Sequence, residues 1–116
     1  MKRLILSCVL CLLILTATQA YAHPPTDIKT EYNLKTRILT AIITHPVADM
    51  AKHHVGKVDI SLNGAEIIEH KIIKQDTNTT QFVVYMVPDA KVGDIISVEA
   101  YCNINGKLRK DIKVSE

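Results

Sequence analysis

From residue 27 onward, apolar and polar residues alternate in short runs that stop at turn signals. Val58, Ile60 and Leu62 interleave with Lys57, Asp59 and Ser61, and the run ends at Asn63-Gly64. Strand side chains point to opposite faces in turn, so a period of two buries one face and wets the other, whereas a helix needs 3.6. Asn-Gly suits a two-residue hairpin, because both central residues of a type I′ turn need positive φ. Ile28, Thr30 and Tyr32 alternate in the same way, and residues 37–44 form a nearly continuous β-branched run. Further strands are expected near residues 65–73, 81–87, 95–101 and 107–114. Turns are expected at residues 33–36, Pro88-Asp89, Gly93-Asp94 and Asn105-Gly106. Seven short antiparallel strands at this spacing predict an all-β fold, an immunoglobulin-like β-sandwich. No internal repeat, low-complexity segment or second domain interrupts it.

The segment before these runs has a different grammar. Lys2 and Arg3 precede an uncharged apolar stretch over residues 4–15, and Ala20-Tyr21-Ala22 forms a small-x-small cleavage signature. Residues 1–22 therefore read as a signal peptide, with cleavage after Ala22 or after Ala20, and residues 23–116 as the mature domain. A stretch of twelve residues is too short to span a hydrocarbon core of about 30 Å. The expected location is periplasmic or secreted, with no membrane attachment after cleavage.

Charge narrows the partners. The 116-residue chain carries 14 Lys plus Arg against 12 Asp plus Glu. Loss of Lys2 and Arg3 brings the two counts level. Nucleic acid and anionic membranes both require a concentrated basic patch, so neither is an expected partner. No nucleophile–base pair, phosphate-cradling glycine loop or helical carboxylate pair points to a hydrolase or nucleotide-binding protein.

Histidine and cysteine carry the chemistry. Cys8 and Cys11 leave with the signal, so Cys102 is the lone thiol of the mature chain. If consecutive strands run up and down, four segments share one end: the N-terminus, the loop over residues 45–53, the loop after residue 73 and the hairpin over residues 102–106. His23, His45, His53 and Cys102 are then expected to converge. Neutral imidazole and thiolate are good ligands for iron, zinc or copper. His54 is expected to point to the opposite strand face, and His70, between Glu69 and Lys71, onto a solvated one. Asn78-Thr79-Thr80 matches a glycosylation sequon. Met50 and Met86 are expected only to pack.

Three segments resemble the ferrous-iron-binding domain of desulfoferrodoxin and neelaredoxin, the superoxide reductases. His23-Pro24-Pro25 is similar to that family's early His-x-Pro segment. His45-Pro46 through His53-His54-Val55 is similar to its His-Pro…His-(His/Tyr)-Ile loop. Tyr101-Cys102-Asn103-Ile104-Asn105-Gly106 resembles its Tyr-Cys-Asn-Ile-His-Gly hairpin. The likeness spans residues 23–116 and is closer still to a short exported branch carrying this domain alone. It implies a mononuclear non-haem Fe(II)/Fe(III) centre reducing superoxide to hydrogen peroxide with electrons from an unidentified donor. His23, His45 and His53 would be equatorial ligands and Cys102 the axial one, with Asn105 and His54 as possible additions; an oligomer is compatible.

The chain departs from the family's pattern at three places. Asn105 stands where the fourth histidine belongs, the loop from His45 to His53 is two residues longer, and the Glu-Lys pair before the early histidine is absent. Two alternatives stand beside an active or weakened reductase. One is a copper-binding protein using His23 as its mature N-terminal residue, with zinc a further candidate ion. The other is a non-catalytic β-sandwich interaction module whose metal site has decayed.

Overall fold

The computed structural model describes residues 22–116; residues 1–21, on which the signal-peptide reading rests, lie outside the described residues. Seven strands follow one another: β1 (Asp27–Asn33), β2 (Ile38–Thr44), β3 (Val55–Leu62), β4 (Ala65–Lys71), β5 (Thr80–Met86), β6 (Ile95–Cys102) and β7 (Lys107–Lys113). They form two antiparallel sheets, β1-β2-β5 and β4-β3-β6-β7. The all-β sandwich expected from the alternation is present.

Each sheet turns one set of alternating residues inward. Leu39, Ala41 and Ile43 of β2, Val58 and Ile60 of β3, and Ile96, Val98 and Ala100 of β6 are at most 1 % exposed. Burying one such valine or isoleucine contributes about 1.5–3 kcal/mol, which makes this layer the main favourable term of the fold. The outer face of the β2–β5 pair is also apolar but exposed, with Ile42 beside Phe82 and Met86 at the end of β5. Met86 thus projects to solvent rather than packing.

The Asn63-Gly64 turn shapes the topology. Asn63 has φ 50° and Gly64 φ 86°, as a type I′ turn requires. Two residues leave β4 no route except back alongside β3. A constant-type immunoglobulin fold places its fourth strand in the first sheet instead. The Asn63 side chain also accepts the Ile95 N–H at 2.9 Å and donates to Asp94 at 3.1 Å, locking this pole of the sandwich.

His70 departs from its expected setting. It pairs with Val58 across β3–β4 and so shares the inward face. Its Nδ1 lies 2.8 Å from the Tyr85 hydroxyl on the facing sheet, and the rings meet edge to face. Burial pushes the Tyr85 hydroxyl well above its usual pKa. The charged neighbours Glu69 and Lys71 obscured this cross-sheet contact, because alternation places them on the other face.

Candidate metal centre

The opposite pole gathers the segment before β1, the β2–β3 and β4–β5 loops, and the β6–β7 turn. Pro46 stops β2 directly after His45, whose backbone N–H reaches the Thr79 carbonyl at 2.8 Å. The next loop closes by a helical-type turn in which the His53 N–H donates to the Asp49 carbonyl at 2.9 Å. Asp49 Oδ1 accepts the N–H groups of Ala51 and Lys52 at 3.0 and 3.2 Å, which hold its carboxyl below the ordinary aspartate pKa. The segment before β1 is pinned where the Thr26 N–H meets the Thr44 carbonyl.

This framework brings three imidazoles together. Ring centroids of His23, His45 and His53 are 4.7–5.2 Å apart and the rings are steeply inclined to one another. One nitrogen from each lies within 4.8 Å of the other two. His45 is fully buried, whereas His23 and His53 are half-buried. His53 Nε2 is buried with no hydrogen-bond partner. Desolvation, then the neighbouring His45 and His23, hold the His53 pKa below its ordinary value, so the ring favours its neutral, ligating form. Donors to one ion with bonds of about 2.0–2.1 Å lie at most about 4.2 Å apart, so small ring movements close the cluster on a metal. Three imidazole donors fit a first-row transition metal. A cleft of about 760 Å³, lined in part by Lys52, Asn78, Thr79 and Ile104, opens onto His23 and His53.

Cys102 sits at the same pole but outside this cluster. Among the described residues, the ligand group at this pole comprises the three histidines alone. Alternation along β6 explains the separation. Ile96, Val98, Ala100 and Cys102 all face inward, so Cys102 is only 8 % exposed, with its sulfur accepting the Ile104 N–H at 3.5 Å. His54 also stays out of the cluster: its Nε2–H donates to the Ile72 carbonyl at 3.0 Å. Asn105 is exposed in the β6–β7 turn.

Two residues that the spacing did not single out organise the site. Asn103 accepts the His54 N–H at 2.8 Å and donates to the Lys52 carbonyl at 3.0 Å, tying the loop that carries His53 to the β6–β7 turn. Gly56 permits this approach, since a Cβ there would fall 2.9 Å from that of Asn103. The register of β3 against β6 also shifts between Val55 and Lys57, where Gly56 lies. Gln75, 1 % exposed, contacts His45 directly at 2.9 Å. Nothing in its sequence neighbourhood marks it.

The chain matches no protein-family model and no curated relative. Its fold is similar to the crystal structure of hypothetical protein PH1083 from Pyrococcus horikoshii OT3, with TM-score 0.55 and 14 % identity. The match covers 84 % of this chain and 93 % of that one. At this identity the likeness concerns the fold alone.

Proposed function

We propose that this protein binds one transition-metal ion through His23, His45 and His53, and that the ion is iron in a superoxide reductase-like exported protein. The carrying observation is the nitrogen cluster: three imidazoles from three separate segments, their donor atoms within 4.8 Å of one another. The iron assignment rests on the resemblance of the three His- and Cys-bearing segments to the superoxide reductases.

Bound ferrous iron would supply the single electron that, with two protons, turns superoxide into hydrogen peroxide. The chain's own contribution is to gather the three imidazoles, with His53 held toward its neutral form by burial, and to leave the cleft beside His23 and His53 open to a small anion. Lys52 and Asp49 both line that cleft. Cys102 would join as a thiolate ligand only by moving toward the histidines. Anaerobic Fe(II) loading, oxidation and optical spectroscopy test this assignment, together with a superoxide-consumption assay. A visible thiolate-to-iron charge-transfer band and superoxide consumption are expected; iron retained without either would remove the reductase reading and leave a histidine-only metal protein.

The all-nitrogen make-up of the cluster favours a second reading, copper, for which imidazoles are good donors and no thiolate is needed. If the mature chain starts at His23, its α-amino group adds another nitrogen. Mass spectrometry of the exported protein decides this: a mature N-terminus at Tyr21 removes the α-amino ligand.

A further inference from the structure

The Gln75 side chain cannot be turned round. Its Oε1 accepts the Val55 backbone N–H at 3.0 Å, and its Nε2 donates to the carbonyls of His45 and Thr77 at 2.8 and 2.9 Å. A backbone N–H only donates and a carbonyl only accepts, so flipping the amide would oppose like groups at all three contacts. Oε1 is therefore an acceptor at its fourth contact also, 2.9 Å from His45 Nδ1. His45 Nδ1 must carry the proton. In the neutral ring the lone pair then resides on Nε2, which faces the His23 carbonyl oxygen at 2.9 Å. Two electron-rich atoms at that separation attract a cation.

We propose that Gln75 is a positioning residue that fixes His45 in its Nδ1–H tautomer and so makes Nε2 its metal-donor atom. The consequence for affinity rests on the metal-binding reading; the tautomer itself does not. Partners that orient a ligating histidine through its second nitrogen commonly change metal affinity about 10–100-fold when removed. Gln75 also joins β3, the end of β2 and the loop before β5, so the same amide that sets the ring's proton sets its position.

Nitrogen-15 NMR of the histidine rings in the metal-free protein reads the tautomer, and Zn(II) titration reads the affinity. The native protein is expected to show His45 as Nδ1–H. In Gln75→Leu, which keeps the volume but loses the acceptor, the proton is expected to move to Nε2, with the His23 carbonyl accepting it. Zn(II) binding should weaken about 10–100-fold. Gln75→Met, which likewise lacks the acceptor, is expected to show the same move; it decides the matter if Gln75→Leu does not fold. An Nε2–H signature for His45 in the native protein, or an unchanged tautomer in folded Gln75→Leu or Gln75→Met, overturns the proposal. If the native tautomer is Nδ1–H but no Zn(II) binds, the metal reading fails while the role of Gln75 in fixing the tautomer stands.

Discussion

The side-chain carbonyl of Asn103 accepts the backbone N–H of His54 at 2.8 Å, which joins the tip of one sheet to the loop that delivers His53. The same amide donates to the Lys52 carbonyl, so a single residue flanks His53 on both sides of its backbone. The site's geometry is thereby coupled to the stability of the β6–β7 turn.

Replacing Asn103 with alanine removes both bonds. Because these groups are exposed or only part-buried, the loss is about 0.5–1.5 kcal/mol, a fall in Tm of several degrees for a domain of this size. Asn103→Asp keeps the acceptor for His54 and is expected to lose less. Thermal unfolding of the two variants checks the order.

Gly64 and Gly106 both have φ of 86°, where alanine costs about 1–2 kcal/mol. Their surroundings differ: a Cβ at Gly64 meets nothing within 4 Å, whereas one at Gly106 falls 2.8 Å from the Cβ of Pro24. Gly106→Ala should therefore lower the urea midpoint more than Gly64→Ala. It should also weaken Zn(II) binding by displacing the residue next to His23, while Gly64→Ala leaves binding unchanged.

At the far pole the Asn63 amide, followed by the Lys91 N–H, holds Asp94 below its ordinary pKa of 3.8. A carboxylate depressed in the folded state contributes stability that is complete above its unfolded pKa and lost as pH falls through the folded value. Asp94→Asn should therefore flatten part of the stability loss below about pH 4 in urea unfolding series. An unchanged acid limb would show that these contacts do not persist in solution.

Much of the fold was legible because strands write themselves as alternation. Val58, Ile60 and Leu62 face the core as their spacing implies, and Asn63-Gly64 adopts the positive φ values its type demands. Convergence of His23, His45 and His53 followed from strand direction alone. Cys102 did not follow, because strand order places a residue at a pole without saying whether its side chain points into the core or toward the loops. Gln75 and Asn103 were invisible for a different reason. Each acts through hydrogen bonds to the backbone of distant segments, and no local pattern of residue types encodes such bonds.

A ligand bound only by the native state raises its stability by RT ln(1 + [L]/Kd), about 2.7 kcal/mol at one hundred times Kd. Zn(II) at that excess should raise Tm by roughly 10–20 °C, and a chelator should reverse the shift. His53→Ala, which removes a half-buried ring at the mouth of the cleft, should abolish most of it.

Iron per chain after anaerobic Fe(II) loading and gel filtration is the most direct measurement, made on the native protein and on His53→Ala in parallel. The account predicts close to one iron per native chain and a near-complete loss in the variant. Native protein that emerges without metal, or a variant that retains as much as the native chain, would contradict it.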